Sequence, residues 1–340
     1  MNRIKDEKNG LLSICIPTYN HAEPLRKCLE AIIPQARQYN IPICVSDNAS
    51  TDNTVKILKS FKNIYPCLFF KSNNENLGVD QNMINAVHMA STKYVWAIGA
   101  RRIVLPGMLS KIYKILEESD WDLLVLNDLN STFTVPESKR YSSAKKIFRE
   151  LNRNLTGLGF QILPLEAWKS ESVLRKYAGT DWTVFGVALE FIASKQNVNV
   201  FFVSEPCSTS SGVSNWIPKC FQIWTSWKKV INSLPEIYSA DKEHVINNSI
   251  NYFFRPKFAF TLMNLRTQNI YNSDIFKTYR EDITRYGHLS PGAAYTISKL
   301  PVKPLKLYYK LYDSTRAIAR KFIHVKAPLN PTKRQTIAYA

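Results

Sequence analysis

The sequence predicts an α/β fold: a mostly parallel sheet with helices on both faces, followed by a helical C-terminal region. Two observations carry this. Short apolar runs alternate with segments of helical spacing through residues 11–98, the pattern of a sheet built from right-handed crossovers. The strand-like runs are also nearly continuous in apolar residues, as strands buried on both faces are.

Leu11–Pro17 is rich in β-branched residues and stops at Pro-Thr-Tyr-Asn, so it reads as a buried strand and a loop. Pro24–Ala36 carries Leu25, Cys28, Leu29, Ile32 and Ile33 at helical spacing. Ile41–Ser46 is a second strand, ending in Asp47-Asn-Ala-Ser-Thr-Asp52, where Thr51 or Asp52 can cap a helix over Thr54–Phe61. Leu68–Lys71 is a third strand, Ser72–Gly78 a turn, and Asp80–Ala90 a helix. Tyr94–Ile98 is a fourth strand, broken by Gly99. A helix then runs from Pro106-Gly107 to Ser119, and Asp122–Asn127 is another strand. Residues 128–156 are polar and less regular; Phe160–Leu163 and Val198–Val203 read as strands around a helical Gly186–Ser194. Beyond a soft boundary near 218, residues 219–340 read as basic and mostly helical. Sheets of this kind bind ligands at the carboxyl ends of their strands. The polar clusters Thr18–Asn20, Asp47–Asp52, Asn73–Gly78 and Gly99–Arg102 all fall there.

The 340 residues are 45% hydrophobic and 21% charged, which excludes a disordered or collagen-like chain. A formal charge of +18 seeks anions: nucleotide phosphates, nucleic acid or an acidic leaflet. No RRM, KH or helix-turn-helix pattern supports nucleic acid. Six cysteines form no CxxC and no zinc spacing, and the five histidines are scattered. LLSICIP near the N-terminus is too short for a signal peptide, and no uncharged apolar run reaches spanning length. These features predict a cytoplasmic protein, touching membrane at most peripherally.

Ser13-Ile-Cys-Ile-Pro-Thr-Tyr-Asn20, Val45-Ser-Asp-Asn-Ala-Ser-Thr-Asp52, Asn76-Leu-Gly78 with Asn82, and Tyr94-Val-Trp-Ala-Ile-Gly99 together resemble the family 2 inverting glycosyltransferases of Rossmann-like GT-A fold, nearest the bacterial O-antigen and capsule type. The resemblance is specific over 11–110, weaker over 155–216 and absent beyond. It implies a GT-A domain over 1–218, with a nucleotide-sugar half (1–105) and an acceptor half (106–218). It also implies a nucleotide-sugar donor and a glycan or polyprenyl-diphosphate-linked acceptor. Pro17, Thr18, Tyr19 and Asn20 would then pack on the nucleobase. Asp47 would accept from base or ribose, and Asn48, Asn76, Gly78, Asp80 and Gly99 would line the crevice. Ser50 and Asp52 fit turn or cap roles.

The family normally places an acidic Asp-x-Asp after the fourth strand to hold a divalent metal. Here those positions read Ala100-Arg101-Arg102. No metal cofactor is therefore expected. Charge on the departing phosphate still needs stabilising, and a guanidinium supplies paired donors and a permanent charge. Arg101, Arg102 or both are expected to replace the cation, although adjacent side chains need not face together. A single-phosphate donor would need less neutralisation, a metal could bind elsewhere, and a chain that has lost catalysis would only bind.

Inverting transfer needs a carboxylate base. Glu166, Glu171, Asp181 and Glu190 are the candidates, and Asp181, in Ala178-Gly-Thr-Asp-Trp182, matches the family position best. Trp182 would stack an acceptor sugar, Gly157 and Gly159 would admit its close approach, and the polar Cys207–Trp216 is long enough to close as a lid or is an ordinary surface loop. Residues 301–340 carry nine Lys or Arg against the single acid Asp313, with aromatic residues between. That composition suits an amphipathic helix on anionic lipid, or a packed helix with a solvated basic face.

Overall fold

The computed structural model describes residues 10–130, 136–212, 217–253 and 258–311. The chain divides into two compact units, Met1–Asn215 with Thr225–Lys242, and Trp216–Trp224 with Glu243–Ala340.

The first unit is built on β1 (Leu12–Thr18), α1 (Ala22–Ala36), β2 (Ile43–Asp47), α2 (Thr54–Ile64), β3 (Leu68–Ser72), α3 (Val79–Val87), β4 (Tyr94–Ala97), β5 (Arg102–Val104), α4 (Met108–Glu118), β6 (Leu123–Asp128), β7 (Lys139–Tyr141), α5 (Ala144–Leu151), β8 (Gln161–Pro164), α6 (Glu171–Tyr177), α7 (Thr183–Ala193) and β9 (Val200–Ser210). Among the described residues these strands form one sheet, in the order β3-β2-β1-β4-β8-β6-β9-β5, with β7 also on β9. β3, β2, β1 and β4 are mutually parallel. The predicted alternation is therefore observed there. Every residue of β1 and β2 is buried, and α1 lays Leu25, Cys28, Leu29, Ile32 and Ile33 into the same core.

In the second half the sheet is mixed: β6 and β9 are parallel, and antiparallel pairs join them. β8 runs antiparallel to both β4 and β6, and β5 and β7 run antiparallel to β9. Apolar runs in buried parallel and antiparallel strands look alike, so composition could not separate them. Three further expectations change. Residues 128–156, read as irregular, contain β7 and α5. The segment read as a lid begins inside β9: Ser208, Thr209 and Ser210 pair with Val104, Ile103 and Arg102, so that part is a strand, and 213–216 lie outside the described residues. Thr225–Lys242 belongs to the first unit, where Trp227 packs on Trp182 and Phe185 with ring centroids 4.8 and 4.6 Å apart. Tyr238 there donates to the Leu189 carbonyl at 2.8 Å.

The second unit is helical. It takes the start of α8 (Cys220–Ser233) and, from Glu243 on, α9 (Ser239–Phe253), with α10 (Phe258–Thr267), α11 (Ser273–Gly287) and α12 (Pro291–Lys299). Its core gathers Phe221, Trp224, Tyr271 and Tyr286. A further helical run, 302–311, exposes Leu307, Tyr308 and Leu311, and Tyr309 packs on Phe260. The rest of the basic tail, 312–340, lies outside the described residues.

Candidate active site

The parallel register puts Thr18 beside Asp47 and Asp47 beside Ser72, one polar row at the carboxyl ends of three strands. The loops that follow are zipped together. The Asn20 N–H donates to Ser50 Oγ (2.8 Å), Asn20 Oδ1 accepts the Thr51 N–H (2.8 Å), and Asp52 accepts the N–H groups of Ala22 (3.0 Å) and Thr54 (2.9 Å). Ser50 and Asp52 thus hold the turn, as expected. Asn20 and Ala49 both sit at left-handed φ, 49° and 62°. That strain persists because the surrounding bonds over-determine the turn.

An amide network fixes the next loop. Asn48 Nδ2 donates to Asn76 Oδ1 (2.7 Å) and the Gly78 carbonyl (3.2 Å), while its Oδ1 accepts from Asn73 Nδ2 (3.0 Å) and the Leu77 N–H (2.9 Å). Asn82 donates to the carbonyls of Thr18 (3.2 Å) and Ser46 (3.0 Å) and accepts from Ser46 Oγ (2.7 Å). An Asn side chain has two donor hydrogens and one acceptor oxygen, so Asn48 has no capacity left for a donor nucleotide. Its assignment as a ligand contact is corrected to scaffolding. Asn76 does the same work, accepting also the Gly78 N–H at 3.0 Å. Gly78 itself has φ 82° with open space where a Cβ would be, so conformation rather than crowding requires glycine. Asp47 is only 1% exposed and accepts the Ser50 N–H at 3.3 Å. Pro17 and Thr18 are buried, and Thr18 Oγ1 has no hydrogen-bond partner. Tyr19 and Asn20 are the exposed members of that loop.

The structure separates the two arginines. Arg102, its side chain 14% exposed, pairs with Asp128, donates to the Leu158 carbonyl (3.1 Å) and lies over the Phe160 ring (4.9 Å). Burial pulls its pKa below the ordinary arginine value against the attraction of Asp128. Its charge is already matched, so the expectation that it neutralises a phosphate is corrected to a structural ion pair. Gly159, at φ 103°, lies against this guanidinium, and a Cβ on Gly157 would strike the Phe160 ring. The two glycines therefore admit Arg102 and Phe160 rather than an acceptor. Arg101 instead donates to His21 Nε2 at 3.1 Å. Burial first, and then the Arg101 charge, hold the His21 imidazole below its usual pKa. Gly99 accepts the Arg102 N–H at 2.9 Å and turns the chain between the strands.

These residues do not fit a divalent cation. Ala100, Arg101 and Arg102 supply no carboxylate, and the Asp128 carboxylate beside them is held by Arg102, by Ser208 Oγ (3.4 Å) and by the Asn130 N–H (2.8 Å). Asp128 and His21 were missed in the sequence. Asp128 had the same signature as Asp47, an acid closing a buried strand. Removing its charge strands a buried guanidinium, so Asp128→Ala is expected to lower unfolding free energy by about 3–5 kcal/mol. Denaturant titration checks this; an unchanged midpoint would mean that Arg102 finds water instead.

The base candidates also part company. Glu190 is held by Lys176 (2.6 Å) and Tyr177 (2.8 Å), Glu171 by Arg175 (2.6 Å), and Glu166 lies 3.9 Å from Lys195. Asp181 sits at φ 67°, is exposed, and donates its N–H to Asp80 Oδ2 at 2.9 Å. Leu77–Gln81 and Ala178, Gly179 and Asp181 line a cavity of about 530 Å³, which gathers Gly78, Asp80 and Asp181. A smaller one, about 80 Å³, adds Gly157 and Trp182. Trp182 is 9% exposed and packed on Trp227. The expected stacking face is therefore corrected to a core contact. Asp47, Tyr19 and Arg101 line neither cavity.

Residues 13–164 match the family described as Glycosyl transferase family 2. Abequosyltransferase RfbV of Salmonella typhimurium is 28% identical over 193 residues, 51% of this chain and 58% of the relative. An uncharacterized glycosyltransferase of Methanocaldococcus jannaschii, MJ1057, is 31% identical over 147 residues, 41% of this chain and 51% of the relative. The chain thus spans about half the length of these relatives. Among solved structures, S. aureus TarS 1-349 superposes with TM-score 0.56 at 15% identity, covering 76% of this chain and 77% of that one. The mannosyltransferase PcManGT of Pyrobaculum calidifontis, in complex with GDP-Man and Mn2+, reaches 0.50 at 13% identity over 94% of this chain and 89% of that one. Both likenesses concern the fold.

Proposed function

We propose, from the match of residues 13–164 to glycosyl transferase family 2, that this chain is an inverting, metal-independent glycosyltransferase of bacterial surface polysaccharide synthesis. It moves a sugar from a nucleotide-activated donor to a glycan or lipid-linked glycan acceptor. The observation that carries the reading is Asp181, an exposed carboxylate in a tied-down turn, lining a cavity beyond the carboxyl ends of the parallel strands. The domain family and the abequosyltransferase relative support the donor class and the polysaccharide setting.

In the step itself, Asp181 takes the proton of an acceptor hydroxyl as its oxygen attacks the anomeric carbon from the side opposite the phosphate. The glycosyl–phosphate bond breaks, and its electron pair leaves on the phosphate oxygen. Arg101, not Arg102, meets that charge. The zipped Tyr19–Asn20 and Asp47–Asp52 loops form the nucleotide side.

The test measures free nucleotide from UDP-, GDP-, CDP- and dTDP-sugars and CMP-sugars, with candidate glycan acceptors, in EDTA and in manganese. Acceptor-dependent release in EDTA supports the reading. The absence of a carboxylate at Ala100–Arg102 favours a second one: a homologue that binds nucleotide sugar without transferring it. Saturable binding with no release under any condition would select it.

The acceptor side includes a membrane. In the run 302–311, Leu307, Tyr308 and Leu311 are exposed beside Lys303, Lys306 and Lys310, a surface suited to anionic lipid at the inner face of the plasma membrane. Among the described residues no helix is long and apolar enough to cross a membrane. Vesicles containing anionic lipid should sediment the full chain at low salt, release it at high salt, and fail to retain a chain lacking 301–340. Salt-independent sedimentation, or none, would remove this part of the reading.

A further inference from the structure

We infer that Asp80 is a positioning residue: its carboxylate clamps the Gly179–Thr183 turn and thereby sets the backbone from which Asp181 works. The inference rests on the proposal that Asp181 is the base. Asp80 belongs to the first turn of α3, a hundred residues before the turn it holds. It is 7% exposed, yet it is not a core residue by chemistry. Its carboxylate accepts the Asp181 N–H at 2.9 Å, the Gly179 N–H, and the Thr183 hydroxyl, which is shared with the Tyr177 carbonyl at 2.9 Å. Between those donors the chain adopts two left-handed residues, Gly179 at φ 79° and Asp181 at φ 67°. A non-glycine residue in that region is costly unless its neighbours hold it there, and Asp80 supplies the hold. The same bonds tie the wall of the cavity that comes from α3 to the wall that comes from the turn.

The electrostatics are consistent with a clamp that acid releases. Burial raises the Asp80 pKa above the ordinary aspartate value, the Asp181 and Gly179 N–H groups and Thr183 pull it down, and the charge facing it, Asp181, pushes it up. As pH falls through that raised value, Asp80 becomes neutral and its acceptor bonds weaken.

Three variants test this with the full chain: Asp80→Asn, Gly179→Ala and Asp181→Asn, each compared with wild type for kcat, donor KM and pH profile. Asp80→Asn keeps shape but turns one acceptor into a donor. It should lower kcat roughly 10- to 100-fold with donor KM within about two-fold, since a displacement of about 1 Å at a reacting group costs that order. Its acid limb should move to lower pH, because the Asp80 ionisation is gone. Gly179→Ala meets no atom within 4 Å and strains only the turn backbone. It should reproduce the kcat loss while leaving the acid limb in place, and it carries the test if Asp80→Asn does not fold. An inactive Asp181→Asn beside an Asp80→Asn of wild-type kcat and pH profile overturns the clamp and spares the base. A loss that falls on donor KM alone makes Asp80 a donor contact and overturns it as well. An active Asp181→Asn overturns the proposed function itself.

Discussion

Asp181→Asn lowers kcat by about 10²- to 10⁴-fold, the range a general base supplies, while leaving the unfolding temperature and donor KM near wild type. Asparagine is the informative substitution for a specific reason. Asp181 sits at φ 67°, and asparagine tolerates the left-handed region better than other side chains do. The N–H that Asp80 accepts belongs to the backbone and survives the change. The variant therefore removes proton-accepting capacity and little else. Glu190→Gln is the contrasting control. Its carboxylate is engaged by Lys176 and Tyr177, so that substitution should cost stability and leave kcat close to wild type. Turnover of Asp181→Asn above a tenth of wild type, or a kcat collapse in Glu190→Gln, would move the base elsewhere.

Arg101→Ala lowers kcat by about 10²- to 10³-fold, comparable to removing one preorganised donor from a site of developing negative charge. The wild-type rate is expected to be the same in EDTA and in manganese. Arg101→Lys should recover only part of the loss, because an ammonium keeps the charge and forfeits the paired guanidinium geometry. Arg101 also has a built-in orienting contact: His21 Nε2 accepts its N–H at 3.1 Å. An arginine only donates, so that ring nitrogen carries no proton, in keeping with the direction in which burial and Arg101 shift the imidazole. Arg102 gives a different phenotype. Its loss unpairs Asp128 and lowers stability before it touches chemistry. A full rate from Arg101→Ala in EDTA, or a wild-type rate that depends on manganese, would end the metal-independent reading.

The site was legible in part. Positions 11–98 could be read because a strand buried on both faces leaves a continuous apolar run and a helix leaves a 3.6-residue period. The polar clusters at the strand ends followed from that topology alone. Asp181 was picked out of four carboxylates by its turn, and the structure leaves it as the one lining the cavity. The assignments that changed share a cause. Asn48, Arg102 and Trp182 each had the right chemistry for a ligand, but each is engaged by a residue far along the chain: Asn76, Asp128 and Trp227.

The residues themselves determine the parallel half of the sheet, the row of polar strand ends and the missing carboxylates at 100–102, since all three are local patterns of residue type. Which polar groups are spent on each other and which stay open to a substrate was decided by tertiary structure. Hydrogen-bond capacity is finite, and the partners that use it up come from distant segments, as Asp80 meets the Asp181 turn, in a pairing that no window of sequence contains.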